Sequence, residues 1–243
     1  MSISEQVPHA LEDSATRLLH ALRYEQQQGG PVPPLVVEFA GCPKAGKTST
    51  IETVQSFFRR IGFTVEAPVE GASKRDLAHV RANLAHFNTA TLSYTVQALL
   101  RAYHSPAKPD LILLDRGVYD SVAWSEMLQK NKMIKRREAE NMRKFAMDRA
   151  PLISRLYLFM CAPEVSLRRE RKLTIVDGVA MNSTMLTMMY DIYDALGTTL
   201  REQHSVTRID TTHLPSELDT ASMVVSDILA HGWLAKPSAA PRA

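Results

Sequence analysis

A three-layer α/β fold, in which a five-stranded parallel sheet carries helices on both faces, is the architecture this sequence predicts. Three observations lead there. Short apolar runs alternate five times with helix-length segments, and a parallel connection needs a crossover of a dozen or more residues. A Gly-rich turn stands between the first apolar run and the helix after it, and sheets of this kind bind ligands at the carboxyl ends of their strands. The 243 residues, 45% of them hydrophobic, suit one core near the largest size a chain builds before it splits into domains, roughly 250 residues.

The elements follow in order. Leu11, Leu18, Leu19 and Leu22 recur at helical spacing over residues 10–24, and a Gln-, Gly- and Pro-rich stretch then reads as a linker. Residues 1–33 are therefore expected to be an N-terminal helix and linker, extra to a main domain of residues 34–232. Leu35-Val36-Val37-Glu38-Phe39 reads as a buried strand, leading through the Gly-rich turn into a helix over residues 47–60 that Gly62 ends. A second strand is expected over residues 64–68, a largely helical stretch over 74–104, and a third strand from Leu111 to Leu114, ending on Asp115. A charged helical stretch spans residues 121–149. The fourth strand (156–161), helices over 164–172 and 183–202, and the fifth strand (206–210) come next. A last helix, N-capped by Ser216, runs to residue 230 ahead of a flexible tail, residues 233–243.

Composition narrows the function classes. A net charge of +3 suits a small anionic substrate and falls well short of a nucleic-acid-binding footprint. The basic residues between Lys130 and Lys144 are interleaved with Glu138 and Glu140 and read as a solvated helix. Cys42 and Cys161 have no metal-ligand or disulfide spacing, and the scattered histidines suggest no metal site. With no apolar leader and no run near the ~18 residues that span a bilayer, a soluble cytoplasmic protein is expected.

The strongest signal is Gly41-Cys42-Pro43-Lys44-Ala45-Gly46-Lys47-Thr48, a complete G-x-x-x-x-G-K-[ST] phosphate-binding loop (Walker A motif) placed between strand and helix. Such a loop turns successive backbone N–H groups toward a phosphate, and the following helix, with Ser49 in its first turn, adds its positive end. Lys47 is expected to face solvent and reach the β- and γ-phosphates of ATP, and Thr48 to ligate Mg²⁺. The fold is thus expected to be that of a P-loop NTPase. Asp115-Arg116, at the end of an apolar strand, suits a carboxylate that holds the metal shell and an arginine that reaches the acceptor side.

From here the chain resembles the thymidylate kinase and deoxynucleoside kinase group. The segment from Asp115 to Trp124 is similar to the D-R-Y-x-x-S-x-x-A-Y stretch of thymidylate kinases, matching at Asp115, Arg116, Ser121 and Ala123, with an aromatic at Trp124 and Gly117 where that family has an aromatic. Ser93-Tyr94-Thr95-Val96-Gln97 is similar to the deoxynucleoside kinase helix whose glutamine pairs with the base. In that group a Glu-Pro-Val turn supplies the acid that activates the substrate hydroxyl. Here Ala67 stands at the acid's position, with Glu66 and Glu70 as substitutes. The segment from Pro163 to Lys172 resembles the start of an arginine-bearing lid, expected over residues 168–182, with Arg168, Arg171 and Lys172 on one helix face.

The resemblance implies a Mg²⁺-ATP phosphotransferase. Lys47, Asp115, Arg116 and one of Arg168 and Arg171 would form the catalytic set, and Glu70, Gln97, Arg116 and Ser121 the acceptor set. The acceptor would be a nucleoside or nucleoside monophosphate, and homodimerisation stays open. Two alternatives remain: a regulatory P-loop ATPase that binds a macromolecule, to which the extra N-terminal helix would lend a surface, and a kinase of a non-nucleotide acceptor. A GTP switch is disfavoured, since Asn131-Lys132-Met133-Ile134 lacks the acid of a guanine-reading element.

Lys47→Ala is expected to abolish ADP formation from Mg²⁺-ATP while circular dichroism stays native; near-normal turnover by the folded variant would contradict a P-loop kinase.

Overall fold

The computed structural model describes residues 9–29, 32–71, 79–80, 82–171, 182–200, 206–213 and 216–232. Its strands are β1 (Leu35–Gly41), β2 (Val65–Glu66), β3 (Leu111–Asp115), β4 (Arg155–Met160) and β5 (Val206–Asp210). Its helices are α1 (His9–Gln27), α2 (Lys47–Ile61), α3 (Leu84–Tyr103), α4 (Val118–Lys130), α5 (Arg136–Met147), α6 (Pro163–Arg171), α7 (Ser183–Leu200) and α8 (Glu217–Asp227). All strands pair in parallel in the order β2-β3-β1-β4-β5. One helical layer joins α2 with α1 and α8, and the other joins α4 with α3, α5 and α7.

The central strands are apolar on both sides because helices cover both sheet faces. Every residue of β1 and β4 is buried. The chain leaves β1 toward β2 on one side and crosses from β3 to β4 on the other. The connections thus diverge around β1, and the crevice for a ligand opens at the carboxyl ends of β1 and β3.

Helix ends follow local chemistry. α2 stops where Gly62 takes φ 109° and Phe63 N–H bonds back to Phe58 O at 3.0 Å, the six-to-one closure that glycine favours. The stretch expected as one helix over residues 121–149 is two helices. Lys132 takes the same left-handed conformation at φ 58°, Met133 N–H bonds to Leu128 O at 2.9 Å, and α4 ends there. A lysine gives no glycine signal for that turn, and burial of Ile134 behind it rewards the break. β2 is shorter than expected. Ser216 caps α8 as predicted, accepting from Asp219 N–H.

The N-terminal helix is part of the core. Ala15 and Leu22 are buried in the same apolar cluster as the sheet, with Leu11, Leu18 and Leu19 packed against it. Arg23 grips Asp110 with two bonds, Nη1 to Oδ1 at 2.6 Å and Nη2 to Oδ2 at 2.7 Å, and Asp110 also accepts from Thr64 N–H at 2.8 Å. One carboxylate at the foot of β3 thus ties α1 to the start of β2. Among the described residues no helix is long and apolar enough to cross a membrane.

Asp110→Ala strands the Thr64 N–H and the Arg23 guanidinium together. It should lower unfolding free energy by about 2 kcal/mol in urea titrations and raise hydrogen exchange across α1; a change under about 0.5 kcal/mol would show that apolar contacts alone hold the helix.

Candidate active site

The phosphate loop is shaped by backbone conformations that side chains resist. Gly41 has φ 128°, and a Cβ there would lie 2.1 Å from Phe159 O, so the strand end passes β4 too closely for any other residue. Cys42 N–H bonds to Phe159 O at 2.8 Å, and Ala45 N–H bonds back to Cys42 O at 3.4 Å. Lys44 and Gly46 take φ 56° and 91°. α2 then begins with no side-chain cap, and Ser49 Oγ donates to Gly46 O at 3.3 Å. The first N–H groups of α2 are therefore left to an anion.

Lys47 does not face solvent as expected. It is 4% exposed, and its Nζ donates to Gly41 O at 3.0 Å and Cys42 O at 2.7 Å. The side chain lies inside its own loop, where the carbonyls of Gly41 and Cys42 accept from its ammonium. An ammonium has three N–H groups, so one is left for a phosphate. Burial, aided by the Arg116 charge and opposed by Asp120 and Asp115, lowers its pKa to about 8. Lys47→Ala consequently removes loop support as well as charge.

The two predicted metal ligands meet. Thr48 Oγ1 donates to Asp115 Oδ2 at 2.6 Å, joining the head of α2 to the end of β3. Next along, Arg116 adopts φ 60°, and its guanidinium lies between carboxylates, Nε to Glu70 Oε1 at 2.6 Å and Nη1 to Asp120 Oδ2 at 3.1 Å. Burial disfavours its charge, but Asp120 and Glu70 more than compensate and raise its pKa. Asp120 Oδ1 also accepts from Tyr193 O–H on α7 at 2.6 Å and from Gly41 N–H at 3.3 Å. Asp120 thereby connects the phosphate loop, Arg116 and α7.

Beneath this network lies a buried acid. Glu38, fully buried in β1, accepts N–H bonds from Gly117 at 3.2 Å, Val118 at 3.0 Å and Asp120 at 3.0 Å. It caps α4 from across the sheet. Burial pushes its carboxyl up to about 8, against the N–H donors that favour the charged form. A Cβ on Gly117 would stand 2.2 Å from the Glu38 carboxylate. This explains the glycine where thymidylate kinases have an aromatic: Glu38 fills the space.

A cavity of about 230 Å³ opens beside Arg116, walled by Glu70, Asp120 and Ser121 and by α3 residues including Asn88 and Thr95. Of the residues expected to hold the acceptor, Glu70, Arg116 and Ser121 line this one cavity. Gln97 does not. It is exposed and lines a separate open groove with Arg59 and Arg101, because nine residues from Asn88 turn a helix by about 180°. The amide that faces the cavity is Asn88.

α6 braces the loop from behind. Ser166 Oγ donates to Pro43 O at 2.8 Å, Arg169 Nη1 to Lys44 O at 3.0 Å, and Lys44 pairs with Glu170 at 2.7 Å. Arg169 also donates to Thr211 O at 2.7 Å, beyond the end of β5. Arg168 is exposed on α6. The side chain of Arg171 and residues 172–181, which hold all of the expected lid tip (173–182) but Asn182, lie outside the described residues. Cys42 is a buried, protonated thiol, its pKa raised to about 11 by desolvation.

Sequence reading missed Glu38, Asp120, Asn88, Arg169 and Tyr193. Only Glu38 carried a signal, as the one charge in an apolar strand.

Sheet order and phosphate loop together define a P-loop NTPase fold. Among solved structures, the chain is similar to deoxyadenosine kinase from M. mycoides. With products dCMP and dCDP bound, that enzyme superposes with TM-score 0.62 at 11% identity, over 80% of this chain and 98% of that one. Its form with bound dCTP gives 0.60 at 10%, over 80% and 98%, and its form with bound dATP gives 0.59 at 11%, over 80% and 99%. At identities this low the superposition shows the fold alone. No protein-family model matches the chain, and no curated protein does.

Gly117→Ala should cost about 2–3 kcal/mol by overpacking against Glu38. In a Glu38→Ala background the added cost should fall below about 1 kcal/mol, a coupling that a double-mutant cycle in urea would measure. Purely additive costs would mean that the two residues do not compete for the same space.

Proposed function

We propose that this chain is an ATP-dependent phosphotransferase whose acceptor, a nucleoside or nucleoside monophosphate, occupies the cavity beside Arg116. The observation that carries the reading is the Thr48 to Asp115 contact at 2.6 Å. It brings a complete phosphate loop and the acceptor cavity to adjoining residues of one strand end. The fold shared with a deoxyadenosine kinase supports the acceptor class.

In this reading the N–H groups at the head of α2 and the free donor of Lys47 hold the donor phosphates. Thr48 and Asp115 are hard oxygen ligands of the type Mg²⁺ takes, and the ion bound there would neutralise charge on the β- and γ-phosphates. Arg116 fixes the Glu70 carboxylate at the mouth of the cavity. With a nucleoside bound, Glu70 accepts the proton of the attacking hydroxyl, the task that Ala67 cannot perform. Arg168 or Arg171 closes over the transferred group and shields it from water. Catalysis is then positioning and charge stabilisation.

The deciding experiment measures ADP from Mg²⁺-ATP with each nucleoside and nucleoside monophosphate. Stimulation by one acceptor class, lost in Arg116→Ala, supports the reading. Slow, acceptor-independent turnover favours a regulatory ATPase.

The low pKa of Lys47 adds a pH dependence. The nucleotide-free protein loses the Lys47 ammonium as pH rises through about 8, and the phosphates bind the charged form. The dissociation constant for ATP should therefore be flat below that pH and weaken about tenfold per unit above it. Calorimetric titration between pH 7 and 9.5 measures the slope; a flat profile would place another cation on the phosphates.

A further inference from the structure

The wall of the acceptor cavity contains a buried amide whose orientation is fixed from behind. Asn88 is 6% exposed, and its Nδ2 donates to Ser125 Oγ at 3.0 Å. Ser125 is itself 2% exposed, and its hydroxyl donates to Ser121 O at 2.8 Å, one turn back on α4. A hydroxyl has one proton, and here a backbone carbonyl takes it. Ser125 Oγ can therefore only accept from Asn88, so the NH₂ end of the amide must face Ser125. The carbonyl end is left for the cavity. Asn88 Oδ1 has no hydrogen-bond partner among the described residues and is not fully enclosed, so it opens onto the cavity as an acceptor that a ligand N–H can meet in place of water.

We infer that Asn88 is a specificity-determining residue, which reads the acceptor by accepting from an N–H donor on it and rejects acceptors that present a carbonyl there. The inference rests on the phosphotransferase reading. The chemical class follows from the lining. Phe87 and Trp124 border the same cavity and suit a planar ring, whose edge then carries an amino group toward α3. The discrimination has a strong physical basis, because an oxo group in that position would set two acceptors against each other and leave both unpaired. Ser125 is the positioning residue, since without its hydroxyl the amide can turn and offer NH₂ to a carbonyl as readily as oxygen to an amine.

The test compares kcat/KM for acceptor pairs that exchange amino for oxo, the adjacent ring nitrogen changing from acceptor to N–H with it: deoxyadenosine with deoxyinosine and deoxycytidine with deoxyuridine, each also as the 5′-monophosphate. The native chain should prefer the amino member of its best pair by about 100-fold. Ser125→Ala should bring that ratio near unity chiefly by improving the oxo acceptor, an effect that a general loss of packing would not produce. Asn88→Leu should bring it near unity by losing the amino acceptor. Asn88→Asp, which offers oxygen in either orientation, should keep the preference and gives a reading should Ser125→Ala not fold. An unchanged ratio in Asn88→Leu, or a native enzyme indifferent to the exchange, overturns the inference. If ADP formation still requires Lys47 and an acceptor, the phosphotransferase reading survives that result. Turnover independent of Lys47 overturns both.

Discussion

A carboxylate buried in the middle of a parallel sheet is a costly object, and the placement of Glu38 shows what it is used for. Its oxygens take the N–H groups at the start of α4, which the helix could not satisfy by itself. The oxygens meet the helix start in a place where neither has water, and the cost of that burial shows in the raised pKa of about 8, which favours the protonated acid at neutral pH. The consequence is a fixed distance between β1, which launches the phosphate loop, and the turn after β3, which carries Asp115 and Arg116. Gly117 is the geometric condition for it, and the left-handed conformation of Arg116 is the bend that lets the chain come down onto Glu38.

Above that layer, charges are arranged so that each polar group answers a neighbour's. Arg116 would be costly in a half-buried cleft, and the carboxylates of Glu70 and Asp120 on either side offset this. Asp120 then spends its other oxygen on Tyr193 and on Gly41 N–H. A change where Arg116 meets Glu70 is felt through one carboxylate at the first glycine of the phosphate loop and on α7. The phosphate loop and the cavity beside Arg116 are thereby parts of one hydrogen-bonded body.

Support from behind the loop has the same character. α6 reaches the carbonyls of Pro43 and Lys44 through Ser166 and Arg169, and Arg169 continues to Thr211 past β5. The backbone groups that a phosphate would not use are thus paired with the protein, while those at the head of α2 are not. This division lets the loop stay folded without a ligand.

Much of this molecule can be read from local rules. Apolar runs of strand length, a glycine pattern with one spacing, Gly62 after a helix and Ser216 before one depend on neighbours in sequence. The parallel sheet, and the place of the glycine loop between β1 and α2, followed from them. What the sequence left open depends on contacts across dozens of residues. Gln97 was read by analogy, but rotation about α3 turns it outward and gives the cavity Asn88. Lys132 ends α4 because Ile134 finds the core, and no propensity marks it. Arg169, instead of Arg168, meets the phosphate loop because the approach of α6 to the sheet selects which of two adjacent arginines points inward. Gly117 looked like a departure from a pattern and became a requirement once Glu38 was found beneath it. Residue types and spacing determined which chemistry the chain could carry, since they act through the backbone's short-range geometry. Packing alone decided which side chains face that chemistry, since orientation is set by partners distant in sequence.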